Sequence, residues 1–221
     1  VLAHSSATMR HRALMLSAVS LVMLLAASPG SAAPEALPEA AQVGVATAPM
    51  MRPSASQLKR LYHLEPYIRY FTSLAYGPDN ARISADYIRA LILTESAGDK
   101  WAKSHKGARG LTQIIPSTAR AVASKLERSG YDYLYVDEAV FEHLAGEDLY
   151  DPALNILIAC YLSATYHLRF DGRTDLVASA WNAGPGAVAR YGNEPPPYPE
   201  TRQMISRVQG YLHYLEKVAI H

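Results

Sequence analysis

From about residue 57 onward, the apolar positions follow helical spacing. Leu58, Leu61, Tyr62, Leu64, Ile68 and Phe71 recur three and four residues apart, the interval that lines one face of an α-helix, and Pro66 falls inside the run, where an interruption is expected. A second helix is expected after Ser84, with Tyr87, Ile88, Leu91 and Ile92 on one face and Gly98 placed to end it. Residues 98–110 are punctuated by glycine and read as a loop or short hairpin; Pro116 and Ser117 then open a helix running to about Arg128. Residues 131–150 fit no single period: tyrosines alternate at 131, 133 and 135, and a short helical pattern follows over 137–144. The strongest helical patterns come last, over 153–170, 174–182 and 201–218, with a proline-rich link at 194–199 before the final one. Strand signals are sparse, and there is no repeat, heptad run or dinucleotide-binding glycine fingerprint. The pattern predicts a mainly α single domain.

The N-terminal quarter is written differently. Residues 9–33 have a basic start (Arg10, His11, Arg12), an apolar stretch over 13–27 and small residues over 28–33, the three parts of an export signal. That stretch is short for a membrane span. Translation starting at Met9 and cleavage after Ala32 suit it; an uncleaved anchor is the alternative. Residues 34–56 are rich in Ala and Pro and read as a flexible tether, so the chain divides into an export signal (1–33), a linker (34–56) and a folded domain (57–221). The expected location is the periplasm, or the inner membrane surface if the signal stays attached.

Composition narrows the chemistry mainly by exclusion. With 49% hydrophobic and 19% charged residues in 221, the chain is ordinary for a globular protein. Its formal charge of +1 would fall to −1 on loss of Arg10 and Arg12 with the leader, so no electrostatic footprint for nucleic acid is present. The one cysteine, Cys160, lies in an apolar run and is expected to be a small buried side chain. The 8 histidines are scattered, with no zinc-type spacing, and Ser96 lacks the glycine-flanked elbow of a serine nucleophile. Neither a metal nor a cofactor is expected.

Glu95 is the candidate for acid–base chemistry. It ends an apolar helix and is followed by Ser96, Ala97 and Gly98, a core-boundary position where partial desolvation favours the neutral acid. Such an acid can protonate a leaving oxygen near neutral pH, although a surface Glu at a helix end would look the same.

The surrounding residues form an ordered series: Glu95-Ser96; Ser104, Gly107, Ala108, Gly110, Leu111, Gln113, Ile114 and Pro116 to Ala119; Asn155-Ile156; Ala180-Trp181-Asn182-Ala183-Gly184-Pro185-Gly186; and Tyr198-Pro199-Glu200-Thr201-Arg202. From about Leu58 to about Tyr214, this series resembles the catalytic domain of the Slt-type (family 1) soluble lytic transglycosylases, relatives of goose-type lysozyme. The resemblance implies a lysozyme-like fold, of the α+β class with little sheet, and cleavage of the β-1,4 bond between N-acetylmuramic acid and N-acetylglucosamine in peptidoglycan glycan strands, leaving a 1,6-anhydromuramyl end. It implies Glu95 as the single catalytic acid and base, with Ser96, Ser104, Gln113, Trp181, Asn182, Tyr198 and Glu200 contacting substrate and Glu200 near the muramyl sugar or its attached peptide. An envelope-spanning secretion or conjugation apparatus is the alternative beneficiary to general wall turnover.

Two departures stand out. Trp181 replaces the family's usual Tyr, exchanging a hydroxyl for a donor-only indole N–H, and Thr112 replaces a common Met, which is expected to alter substrate preference. A water-using lysozyme would need a second acid about 5 to 9 Å from Glu95, with Asp99, Glu142, Glu147, Asp148 and Asp151 as candidates. A hydrolase and a non-catalytic wall-binding scaffold therefore stay open. Tyr131, Tyr133 and Tyr135 are assigned to packing rather than to the groove.

Overall fold

A computed structural model of the protein describes residues 48–218. The export signal and most of the tether lie outside them. Seven α-helices make up most of the described chain: α1 (Ala55–Ser73), α2 (Ala85–Glu95), α3 (Pro116–Glu127), α4 (Pro152–Arg169), α5 (Thr174–Ala183), α6 (Pro185–Arg190) and α7 (Pro199–Val218). Short 3-10 turns at Glu138–Phe141 and Glu147–Tyr150 carry the region that had no clear period. Among the described residues, β-structure is limited to isolated bridges, of which Lys103↔Arg109 and Arg109↔Ile114 close the expected hairpin. No described helix is long and apolar enough to cross a membrane.

The helices begin where their caps dictate. Ser54 and Gln57 form a reciprocal capping box, Ser54 N–H donating to Gln57 Oε1 at 2.7 Å and Gln57 N–H to Ser54 Oγ at 3.3 Å, which starts α1 at Ala55 rather than Gln57. Pro66 does not interrupt α1, contrary to expectation. It sits on the exposed face, where water can reach the carbonyl that its missing N–H leaves unpaired. Beyond the helix expected over 174–182, a further short helix, α6, opens with Pro185 in its first turn.

Helix α2 is the axis of the core. Every residue from Tyr87 to Thr94 is buried, so the helix is covered on all sides, with α1, α4 and α7 packed against it. One charge travels with it. Arg89 forms a paired contact with Glu65 of α1, Nε to Oε1 and Nη2 to Oε2 both at 2.7 Å, and a third bond to Asp86. Burial pushes Glu65 up, but the bonds and charge of Arg89 prevail and hold its carboxyl below the usual range. Cys160 is buried and free. Tyr133 packs edge-on to Phe141, and Tyr135 edge-on to Tyr67 and Tyr70 of α1, so these two tyrosines pack within the fold.

Upstream of α1, Met51 N–H donates to Gly210 O of α7 at 2.9 Å. A side chain at Gly210 would meet Met51 Cγ and Pro49 O at 2.7 Å, so the bare glycine lets the preceding segment lie directly on the helix.

The loop between α2 and α3 is fastened to α4 by Asn155, a fully buried side chain. Its Oδ1 accepts from Thr112 N–H at 3.0 Å and Thr112 Oγ1 at 2.7 Å, while its Nδ2 donates to Leu149 O at 2.9 Å and Arg109 O at 3.2 Å. Gly110, at φ 78°, lies so close that a Cβ would collide with Leu149 O and Asn155 Nδ2. Asn155→Ala should lower unfolding free energy by about 3 kcal/mol or more, because several buried polar groups lose their partners together. Thr112→Val keeps the backbone bond and should cost only about 1 kcal/mol. Urea denaturation of the two variants checks this ordering.

Candidate active site

Glu95 is the last residue of α2 and Ser96 its C-cap. The negative end of the helix dipole disfavours a second negative charge there. Burial adds to this and pushes the Glu95 carboxyl up to about 7, against the opposing pull of the Trp181 indole N–H and the Arg207 charge. The acid is therefore neutral in mildly acidic water and ionisable at neutral pH, with two groups ready to stabilise its anion.

The backbone beyond Glu95 is fixed by short bonds. The Ser96 hydroxyl donates to Leu111 O at 2.6 Å and accepts from Gly98 N–H at 3.1 Å. Arg60 Nε of α1 donates to Ala97 O at 2.9 Å. Ala97 and Gly98 both take positive φ, 55° and 82°, which turns the chain sharply off the helix. Ser96 thus ties the end of α2 to the glycine loop; its hydroxyl is engaged within the fold.

Gln113 adopts φ 52°, unusual for a residue with a Cβ. Its Nε2 donates to Ala102 O at 3.0 Å and Gly110 O at 2.9 Å. Both amide hydrogens are spent on the loop, and the carbonyl Oε1 is left as an acceptor. Gln113, Trp181 and Asn182 line one cavity of about 340 Å³, together with Ile115, Tyr166 and Pro185. Asn182 Oδ1 accepts from Thr201 Oγ1 at 2.7 Å, which holds the amide with its Nδ2 available as a donor.

The remaining expected residues sit at the margins. Ser104 Oγ accepts from Ala108 N–H at 3.0 Å across the hairpin, leaving its own hydrogen free. Glu200, 74% exposed, is 3.7 Å from Lys106 Nζ, a weak surface pair that places the start of α7 opposite the Ser104 loop. Tyr198 is exposed and edge-on to Tyr191 at 5.9 Å; it lines neither the Gln113 cavity nor the neighbouring hollow. That hollow, about 550 Å³, is bordered by Arg60, His63, Ser96, Asp99, Lys100 and Leu111. The bond from Trp181 joins Glu95 to the cavity holding Gln113 and Asn182, and its chain neighbour Ser96 lines the second hollow.

Two readings from sequence change here. Thr112 is fully buried and bonded to Asn155, so it holds the loop and offers nothing to a sugar. Arg207 was not foreseen. It lies three residues after the buried Met204 on α7, and that helical register toward the core was the only signal that could have found it. The acids weighed as second carboxylates are engaged elsewhere: Asp99 accepts from Trp101 N–H at 2.9 Å, Glu147 pairs with Arg109 at 2.7 Å, Asp148 accepts from Ala145 N–H at 2.8 Å and Asp151 caps α4 at 2.8 Å. Glu142 is exposed. No acid figures among the groups that set the Glu95 proton affinity.

The chain matches the model of the Transglycosylase SLT domain over residues 76–201. It is 30% identical over 161 residues to the soluble lytic murein transglycosylase of Salmonella typhimurium, covering 67% of this chain and 22% of that protein. It is 32% identical over 145 residues to the soluble lytic murein transglycosylase of Escherichia coli K12, covering 60% and 20%. Among solved structures, the 70 kDa soluble lytic transglycosylase of Escherichia coli superposes with a TM-score of 0.56 at 27% identity, over 73% of this chain and 26% of that one. A complex of the 70 kDa soluble lytic transglycosylase with bulgecin A gives 0.57 at 26% identity, over 73% and 25%. The chain spans about a quarter of the length of these relatives or less.

The electrostatics of Glu95 make two testable statements. A carboxyl that holds its proton up to about pH 7 in the fold, against about 4.5 unfolded, binds more protons folded than unfolded between those values, so its contribution to stability is present at low pH and lost as pH rises through 7. Glu95→Gln should therefore gain stability relative to wild type across that window, by at most roughly 3 kcal/mol, as read from denaturation at pH 4.5 and pH 8. Trp181→Phe removes a donor to the anion and should raise the Glu95 pKa above its wild-type value, which carbon-13 NMR of the carboxyl measures.

Proposed function

Because the chain belongs to the Transglycosylase SLT domain family, we propose that it cleaves the β-1,4 bond between N-acetylmuramic acid and N-acetylglucosamine in peptidoglycan without water, leaving a 1,6-anhydromuramyl end. The observation that carries this reading is a single carboxyl, Glu95, poised near neutral pH with a donor and a cation beside it and no acidic partner among the groups that set its proton affinity.

The chemistry needs one group to act twice. Protonated Glu95 gives its proton to the glycosidic oxygen as the C1–O bond breaks; the muramyl C6 hydroxyl then bonds to C1, and the Glu95 carboxylate takes the hydroxyl proton, restoring the acid. The sugar's own acetamido oxygen can stabilise C1 between these steps, an exception to the usual two-carboxylate pattern. During that interval Glu95 is an anion, and Trp181 and Arg207 favour that state. Trp181 thus fills the place of the family's Tyr by donating to the acid rather than by offering a hydroxyl.

Binding roles follow from which atoms remain free. Gln113 Oε1 accepts from a sugar hydroxyl or amide N–H, Asn182 Nδ2 donates, and the Ser104 hydroxyl donates from the opposite margin. Glu200 and Tyr198 border the approach to the muramyl side. Ser96 acts by holding Glu95. The setting for such an enzyme is the wall-facing side of the envelope, after export by residues 9–33, and local opening of the wall for a secretion or conjugation apparatus is its use beside general turnover.

Digestion of purified peptidoglycan should release muropeptides lighter by one water than the products of hydrolysis, as mass spectrometry reads directly. Products carrying the added water would instead assign a lysozyme. Glu95→Gln should reduce release by about 10³-fold or more while retaining glycan binding. Glycan binding by wild type without any release would make the chain a scaffold.

A further inference from the structure

The cavity at the opposite pole of the domain is not used by this chemistry. About 400 Å³ in volume, it lies between the 75–80 turn and the end of α3 and is walled by Tyr76, Tyr131, Tyr133 and Tyr161, a size ordinary for ligand pockets. It borders the turn leading to the start of α2 and the last turn of α3. The 75–80 turn precedes Ser84, the cap of α2, whereas Glu95 ends that helix about 15 Å away. Lys125, in the last turn of α3, borders the cavity, whereas the other end of α3 follows the Gln113 loop.

Its walls are firm. Tyr76 O–H donates to Phe71 O at 2.6 Å, the Tyr133 hydroxyl is 3.0 Å from Ser129 Oγ, and the Tyr131 ring stacks on Tyr133 at 6.1 Å. Tyr161 lies edge-on to Tyr76 at 5.9 Å, with Lys125 Nζ 5.8 Å from its centroid. Such walls offer aromatic area at little cost in side-chain entropy. The cavity's polar heads keep their hydrogen-bonding capacity: among the described residues, Lys125 and Arg128 form no ion pair, and neither they nor the Asn80 amide makes a side-chain hydrogen bond, Lys125 touching only the Tyr161 ring. No carboxylate is among the residues lining the cavity, although Asp79, Glu127 and Asp132 adjoin them in sequence.

We propose that this cavity binds a short peptide through its free carboxylate, namely the peptide branch carried by the glycan, so that one strand is held at the far pole while its own sugars or a neighbour's are cut at Glu95. Lys125 and Arg128 take the carboxylate, and the tyrosine walls receive the body of the peptide. The ligand class rests on the proposed substrate. Because glycan and peptide belong to one polymer, occupancy of either site raises the effective concentration at the other.

The test uses the full chain carrying Glu95→Gln, so that the polymer is not consumed, and compares a peptide-bearing glycan with the same glycan stripped of peptide. Adding Lys125→Ala and Arg128→Ala together should weaken binding of the peptide-bearing strand about tenfold and leave the stripped strand unaffected. Both side chains are exposed and make no hydrogen bond or ion pair among the described residues, so the thermal midpoint should fall only by the small loss of the Lys125–Tyr161 contact. Free peptide should shift the amide resonances of Gly77 and Ser129, and acetate at equal carboxylate concentration should not. Equal binding of peptide-bearing glycan with and without the two substitutions, or the same shifts with acetate, would overturn the proposal. Failure of the proposed activity is read separately, as absence of anhydro product when the otherwise unaltered chain digests stripped glycan.

Discussion

The site depends on the saturation of one buried amide. Asn155 spends both lone-pair directions of its oxygen and both amide hydrogens on the Thr112, Leu149 and Arg109 groups around it. A loop of 20 residues between α2 and α3 would otherwise have to find its shape with little regular hydrogen bonding of its own. Because its four bonds join Thr112 and Arg109 of that loop to Leu149 in the turn before α4, the amide fixes the loop at two points against α4. Gly110 makes the arrangement reachable by bringing bare backbone against the amide. Gln113, at positive φ, and Leu111, whose carbonyl receives Ser96, inherit their positions from this anchor. Helix α2 and the loop after it are thus joined at Ser96 and referenced to α4.

Electrostatically the site balances opposed influences. Burial and the helix end resist charge on Glu95, while the indole N–H and a guanidinium invite it. Either influence alone would fix the carboxyl in one protonation state across the working range. Burial prevails and lifts the carboxyl to about 7, where the opposing donor and cation keep it convertible, as the proposed acid-then-base role requires. The replacement of Tyr by Trp fits within this balance, because the interaction that matters to the anion is donation, which an indole supplies.

Much of the fold was legible in the sequence because apolar spacing and caps are local signals. The Ser84 cap, the Pro116 start and the buried face of α4 all follow from short-range pattern. What escaped was of two kinds. Pro66 and α6 turned on exposure and on the continuation of a helix after a glycine turn, which depend on what lies across from them. Arg207 and the true role of Thr112 turned on contacts between residues far apart in the chain: Thr112 bonds a side chain 43 positions away, and no periodicity encodes that. Glu95 itself was legible by position, at the end of an apolar helix, but its proton affinity was not, since Trp181 and Arg207 come from two other helices. Ser96 and Gln113 were found as motif residues, yet which of their polar atoms stay free could be read only from the loop geometry.

The seating of Met51 on Gly210 has a mechanical meaning. The segment that enters the domain is clipped to α7 about 15 Å along that helix from Glu200, and α7 is braced along its length by α2 and α5. A pull on the upstream chain is therefore delivered to a supported beam rather than to the loops that border the cleft. Load entering at Met51 thus meets α7 before it meets Glu95 or the loops around it.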